Sequence, residues 1–462
     1  MRIEEEYKKT GYFWLPGKEE NKIPGVLVID DGGGIELEIV GHFDQSMEVL
    51  KGFDDLSRIV GHVEQDGLVT LEDCFYTHKN FSFSGISKSK ILVNKVLSGA
   101  AWDEDEIVTF NTFSFSVDCL DEWIGISGIN VENDWVGGTM VINYKSPEKI
   151  SLVLDNGMTL EICFAYTLPG LPNLTEAKIT QRAYFRLKSE ELTELNGFMD
   201  VAFKITNLMC FAMDAVVAIK NVSATSSEIS HNWGDDKQYP APISVYYQSI
   251  PFCEKKPKTN RHKMLFNFGS IQANAQKIFN NWLNAYEYLS PALNLYFSTQ
   301  SGSQKYLDEK FLALAQGLET YHRRTSSETL MESESFESLV EAILKGCPVE
   351  HTNWLRGRLM HGNEINLGKR LKRIMESFKD HLGTSKERKK LLRKIVDTRN
   401  YLTHYSANLK DDSAKGEELF SLCLKMETIF NLHFLKVVGF TDEEINGVVE
   451  HCHPLKRKLK GV

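Results

Sequence analysis

Residues 385–405 read SKERKKLLRKIVDTRNYLTHY, a helix that begins near Ser385, runs through a dense series of Lys and Arg, and closes on Arg399, Asn400, Thr403 and His404. Residues four apart share a helical face, which groups Asn400 with His404 and Arg399 with Thr403 on adjoining stripes. A guanidinium that never loses its charge thus stands beside an imidazole that titrates near neutral pH, with an Asn close enough to orient either. Such a pair suits phosphodiester chemistry. The imidazole can move a proton to or from a ribose hydroxyl or a leaving oxygen, and the guanidinium can hold a phosphate that gains negative charge. Neither step needs a metal. The plainer alternative is a helix end whose Arg and His meet only solvent or the last carbonyls.

The helical pattern extends to both sides of this stretch. From Ala273 onward, ANAQKIFNNWLNAYEYLSPALNLYFS, YLDEKFLALAQGLETYHRR, SFESLVEAILKG, VEHTNWLRGRLMH and LGKRLKRIMESFKDHL precede it, and SAKGEELFSLCLKMETIFNLHFLKVVG follows. A last short helix is capped by Thr441, with acids at 442–444 in its first turn. Regular loops without coiled-coil heptads predict a compact α-bundle. Within it, Arg356 and His361 repeat the spacing of Arg399 and His404, but no Asn follows Arg356, and Gly362-Asn363 stops the helix after the His. Glu319, His322, Arg323 and Arg324 end an earlier helix. Glu319 either pairs with Arg323 on one face or reaches Arg399 or His404 and holds it in place. His322 reads as structural or solvent-facing.

Upstream the signal is β. PGVLVID alternates up to residues 30–34, DDGGG, and IELEIVG resumes, which predicts a hairpin with a glycine turn. No helix pattern or Lys-Ser/Thr follows the glycines, so they are not a phosphate loop. GLVTLEDCFY, KSKILVNKVLSG, FNTFSFSVDCL, GTMVINY, KISLVLD, MTLEICFAY and, after the loop TLPGLPN, AKITQRAYFRLKS are further strand candidates, spaced as in a sandwich or barrel. Phe75, Tyr76, Phe81, Phe83, Phe110, Phe113, Phe115, Trp123 and Trp135 recur here. Core packing accounts for most of them, and a carbohydrate, peptide or protein-binding face would use the same residues. Residues 189–222 read as a helix with a Ser cap and acids in its first turn. APISVYYQSI and HKMLFNFGSI return to β, and a domain boundary is expected near Ser270.

A chain of 462 residues is long enough for about two or three domains. No run of about 18 apolar residues is present, so a membrane span is not expected, and the N-terminal MRIEEEYKKTGYFW lacks the apolar run of a secretory signal. The eight scattered cysteines form no CxxC pair and read as reduced thiols of a cytoplasmic protein. His451-Cys452-His453 has no second ligand pair at a recognisable spacing, so no metal is assigned. The net charge of −10 argues against a general nucleic-acid coat protein. Positive charge is concentrated at residues 386–394, KERKKLLRK, and 454–462, PLKRKLKGV. The first run leads into Arg399 and His404, so Lys389, Lys390 and Arg393 are candidates to track a phosphate backbone. No G-x-S-x-G, H-E-x-x-H or Walker motif offers a rival chemistry.

Residues 399–404, RNYLTH, resemble the Arg-Asn-x-x-x-His signature of HEPN ribonucleases, and most closely the ApeA-type branch, whose members are bacterial anti-phage proteins. Residues 311–324, FLALAQGLETYHRR, resemble the family's first long HEPN helix. Residues 11–24, GYFWLPGKEENKIP, with the strand at 25–30, resemble the start of the ApeA N-terminal domain.

The resemblance implies an α+β chain with an N-terminal β-rich, sandwich- or barrel-like sensing domain at 1–268 and a C-terminal all-α HEPN bundle at 269–462. It implies a metal-independent endoribonuclease of anti-phage defence, acting by abortive infection on host RNA, with tRNA the preferred substrate. His404 is the expected acid or base, Arg399 the charge stabiliser, Asn400 the orienting group, and Glu319 and Thr403 the supporting residues. No cofactor is implied. HEPN motifs pair across a two-fold axis, so a homodimer or higher homo-oligomer is expected, with a phage-encoded trigger read by the β domain. The rivals are a non-catalytic HEPN module that binds RNA or protein, and a carbohydrate-binding β domain.

Overall fold

The computed structural model describes the chain except residues 44–54, 83–84, 171–173, 233–237 and 303. Phe83 and the end of the TLPGLPN loop therefore lie outside the described residues. The chain divides into two compact units, residues 1–283 and 284–462. The division falls inside one helix, Ala275–Gln300, and the boundary proposed at 268/269 precedes that helix.

In the first unit, β1 (Tyr7–Trp14), β2 (Ile23–Ile29), β3 (Ile35–Val40), β4 (Asp55–Val63), β5 (Gly67–Asn80) and β6 (Lys88–Ser98) close into an antiparallel six-stranded barrel in the order β6-β3-β2-β1-β4-β5, with β5 returning to β6. Alternation puts Ile35, Leu37 and Ile39 of β3 inside, against Phe13, Leu27, Val69 and Ile91. The β2–β3 hairpin turns through the expected glycines. Gly33 takes φ 83, and a Cβ there would lie 2.2 Å from the Tyr247 carbonyl oxygen, so no other residue fits.

β6 has a divided edge. One side pairs along its length with β5. The other pairs with β3 over residues 88–93 and with β16 (Ile243–Tyr247) over residues 95–98. From β16 the sheet opens through β13 (Ile219–Thr225), β7 (Thr109–Val117), β12 (Thr180–Glu194) and β11 (Thr159–Thr167) to β10 (Ile150–Val153). β8 (Ile129–Asp134) pairs with β9 (Thr139–Tyr144), and β14 (Ser230–Asn232) with β15 (Gln238–Pro240). α1 (Leu120–Ile124), α2 (Leu195–Met213) and α3 (Phe268–Ile271) complete the unit. Phe113, Phe115, Phe185 and Leu187 of the sheet are fully buried, and Phe113 stacks on Phe198 of α2 at 6.0 Å. Of the recurrent aromatics, Tyr76, Phe110 and Trp123 are also core residues, whereas Phe81 and Trp135 are exposed.

Three sequence expectations are corrected here. The helix expected over 189–222 is only α2. Residues 189–194 continue β12, Asp214 ends the helix in the left-handed region (φ 49) with its N–H on the Cys210 and Phe211 carbonyls, and Ile219 begins β13. HKMLFNFGSI is not a strand. Leu265 N–H binds the Ala212 carbonyl at 2.8 Å, and the Phe266 carbonyl takes Trp123 Nε1 at 3.1 Å, so no ladder forms. β1, β4, β8, β13, β14 and β15 were not anticipated as strands.

In the second unit, α4 (Ala275–Gln300) continues from Asn284, followed by α5 (Leu307–Thr325), α6 (Ser333–Lys345), α7 (Thr352–Leu359), α8 (Leu367–Glu376), α9 (Ser385–His404), α10 (Gly416–Val438), α11 (Asp442–His451) and α12 (His453–Lys460). α10 is central. Phe430 and Phe434 lie 5.3 and 5.1 Å from the Tyr296 ring, and Tyr296 Oη donates to Asn431 Oδ1 at 2.6 Å. His433, buried between Tyr321 and Phe378, is pushed by burial down to about 4. Thr441 and Glu444 form the cap of α11 as expected. α12 follows it, unanticipated, with Pro454 in its first turn. Among the described residues no helix is long and apolar enough to cross a membrane.

Candidate active site on α9

α9 starts with a reciprocal cap. Thr384 Oγ1 accepts from Glu387 N–H at 3.3 Å, and the Glu387 carboxylate accepts from Thr384 N–H at 2.7 Å. Ile395, Thr398 and Leu402 form its buried stripe. Thr398 is an anchor, because its hydroxyl accepts the Ala414 N–H at 2.9 Å in the interior. The helix runs unbroken through His404. Tyr405 then turns left-handed (φ 51), and its N–H closes on the Tyr401 carbonyl at 2.6 Å.

Arg399 is half-buried on the flank of this stripe. With Thr403 it lines a cleft of about 460 Å³ whose other wall is α5, through Leu312, Gln316, Glu319, Thr320 and Arg323. Its guanidinium donates to Asn400 Oδ1 at 3.3 Å, and Thr403 Oγ1 donates to the Arg399 carbonyl at 2.7 Å. Among the described residues no carboxylate pairs with Arg399, so its charge faces the cleft uncommitted. Arg323, by contrast, is taken up by Glu319 at 3.0 Å and by Glu364. Those bonds, Glu364 first, raise the Arg323 pKa. Glu364 also lies 3.6 Å from Arg370. Arg370 donates to His322 Nδ1 at 3.3 Å, and burial together with the Arg370 charge lowers the pKa of His322. His322 is therefore a structural acceptor, 5% exposed.

The structure thus brings Arg399, Thr403 and Glu319 into one cleft and joins Asn400 to Arg399. Glu319 spends its bond on Arg323 and not on Arg399 or His404. His404 is exposed and does not line this cleft. Five residues of helix set it about 140° round the axis from Arg399. Lys389, Arg393, Asn400 and His404 share a stripe by the same periodicity. Lys389 and Arg393 are exposed, and Arg393 pairs with Asp397 at 3.3 Å. Lys390 points elsewhere, into a groove of about 870 Å³ between α9, α10 and α12, which Lys394, Lys425, Lys456 and Lys460 also line. Sequence reading named neither these lysines nor Gln316 and Thr320. The basic runs at 386–394 and 454–462 were the available signal.

The control constellation behaves as a helix terminus. α7 stops at Leu359, and His361 lies in the following turn with Nδ1 2.7 Å from Glu364 Oε1. His451 Nδ1 sits 2.8 Å from the Gly447 carbonyl oxygen and Cys452 is buried. All eight cysteines are free thiols.

Residues 312–444, from α5 through α9 into α11, match the family model Apea-like HEPN. Residues 8–282 match the model ApeA N-terminal domain 1, more than half of the chain. The chain belongs to the ApeA family, and is an ApeA-type HEPN protein of anti-phage defence. Comparison with curated proteins and with solved structures gave no match.

Proposed function

We propose that this protein is an endoribonuclease that cleaves host RNA during phage infection, with α9 carrying the reaction. His404 takes the proton from a ribose 2′-hydroxyl, whose oxygen attacks the adjacent phosphorus. The bond to the 5′ oxygen breaks, and that oxygen takes up a proton in turn. The products are a 2′,3′-cyclic phosphate and a 5′-hydroxyl. Arg399 stabilises the charge gathered on the phosphorane-like centre, and Asn400 holds the guanidinium or the phosphate. Thr403 and Glu319 fix the walls of the cleft, and Lys389 and Arg393, on the stripe of His404, steer the backbone. DNA lacks the attacking hydroxyl and is not cut by this route.

The observation that carries this reading is the half-buried guanidinium of Arg399 in an open cleft, paired with no carboxylate among the described residues, with an exposed imidazole on the same helix. Their separation round α9 supports a second element of the reading. Two copies packed through α9 about a two-fold axis let Arg399 of one chain meet His404 of the other. The β domain then acts as regulator, altering how the copies meet when it encounters a phage component in the cytoplasm. Cleaving tRNA would halt translation, which makes tRNA the first substrate to examine.

The test is RNA integrity in infected and uninfected cells expressing wild type, Arg399→Ala or His404→Ala, with 3′ ends sequenced for cyclic phosphates. Cleavage that depends on both residues supports the proposal, and the cut sites name the substrate. Identical RNA in all three, with defence intact, transfers the role to binding alone.

A further inference from the structure

The open sheet has a second face, built unlike the one under α2. Successive side chains on a strand point to opposite sides. With Phe113 and Phe115 of β7 in the core, Ser114 and Ser116 point away from it. With Phe185 and Leu187 of β12 inside, Tyr184 and Arg186 share that outer side. β13 joins them through a bulge. Lys220 stands opposite Ser116 and Ser223 opposite Ser114, so one extra residue separates them. A regular strand would turn Lys220 the other way, and the bulge brings it to the side of Ser223 and Thr225. Asn221, within the bulge, holds φ 51.

These residues line a cleft of about 760 Å³, within the roughly 300–1,000 Å³ of small-molecule sites. Its charge is lopsided. Arg182, Arg186, Lys220 and Lys256 enter it, against Glu4 and Asp121. Lys256 and Lys220 both bind Glu4, at 2.9 and 3.0 Å. Asp121 is occupied by the Ala183 N–H at 2.6 Å. Arg186 lies 3.6 Å from Glu161, which Lys149 already binds at 2.5 Å. Counting that pair too, five cations face three carboxylates, a positive excess in a chain of net charge −10. Hydroxyls fill the floor, and those of Thr112 and Thr225 lie 2.6 Å apart.

We propose that this cleft binds a small anionic ligand that carries phosphate beside hydroxyl groups. Guanidinium forks match phosphate. Arg182 lies 3.9 Å from Glu4. Arg186 donates to Tyr184 Oη at 2.8 Å and to Ser114 Oγ at 3.4 Å, and would exchange these neutral partners for the ligand. The Ser and Thr row both donates and accepts, as a sugar requires. An open-mouthed cleft of this volume suits a compact ligand, whereas a polynucleotide would need an extended basic track. None of these residues belongs to the α9 site, so the assignment stands whether or not the chain is a nuclease.

The experiment is calorimetric titration of the full-length protein with ATP and glucose 6-phosphate, each beside its phosphate-free parent, adenosine or glucose. At least one phosphorylated compound is expected to bind with a Kd below about 1 mM, and its parent about tenfold more weakly. Arg182 is 70% exposed, so Arg182→Gln can be made without disturbing the core. It is expected to weaken binding about tenfold, and Arg186→Lys, which keeps the charge and loses the fork, to weaken it as well. Lys88→Gln, in an exposed barrel pair, leaves binding unchanged. ATP as the sole ligand identifies the nucleotide class, and glucose 6-phosphate as the sole ligand the sugar-phosphate class. Neither phosphorylated compound binding, or both arginine variants binding like wild type, overturns the assignment.

Discussion

Arg399 and His404 on α9, and Arg356 and His361 around the end of α7, have the same separation in sequence. α9 is unbroken between its two residues, buries one stripe, and holds Arg399 against α5. α7 ends before His361, Arg356 is exposed, and the imidazole is spent on Glu364. The difference teaches that an Arg–His spacing acquires geometry only where a helix persists across it and another helix faces it. A motif of this kind is a statement about packing as much as about residue types.

The sharpest way to break the comparison is to exchange its members. In an RNA cleavage assay, His404→Ala should lose ~10²–10⁴-fold in rate and Arg399→Ala ~10²-fold or more. Arg356→Ala and His361→Ala should stay within about twofold of wild type, as exposed substitutions do. Equal losses from both pairs would erase the distinction.

The buried core of the second unit comes next. His433 stays neutral in the fold down to about pH 4, whereas the same group in the unfolded chain takes up a proton near pH 6.5. The unfolded state therefore gains protons first as pH falls, and stability declines from about pH 6.5 to 4, by ~3 kcal/mol from this group, then levels. Urea unfolding across that range measures the slope, and His433→Gln should flatten it. At neutral pH, Thr398→Val removes the partner of the buried Ala414 N–H and should cost ~1–3 kcal/mol in the same measurement.

Among the residues of the cleft, the smallest effect is expected from Glu319→Gln. The carboxylate is partly exposed and bound to Arg323, which keeps Glu364. Cleavage should fall by at most about fivefold, with KM unchanged. A loss as large as that of Arg399→Ala would give Glu319 a direct part in the reaction.

Much of the fold was legible because its signals are local. The glycine turn at 30–34 and the start of α9 near Ser385 follow from backbone preference and periodicity. What failed depends on partners far away in sequence. HKMLFNFGSI alternates like a strand, but its backbone groups are used by Ala212 and Trp123. β4 escaped notice because its residues 58–61 are buried on both faces and do not alternate. β13 was absorbed into the apolar run after α2, and residues 214–218, beginning with the left-handed Asp214, separate them. At the site, Arg399, Asn400, Thr403 and His404 stand in the sequence, but the wall opposite Arg399 comes from α5, and no local pattern encodes that meeting. Lys220 reaches the outer face of the sheet through a bulge that composition does not announce.

β6 has one further consequence. Its amides and carbonyls serve the barrel on one edge and are divided between barrel and open sheet on the other. Neither part can unzip at this seam without breaking bonds of the strand that bounds the other. In hydrogen exchange, the β6 amides should therefore be among the slowest of the first unit, and the barrel and the sheet should open as one cooperative block.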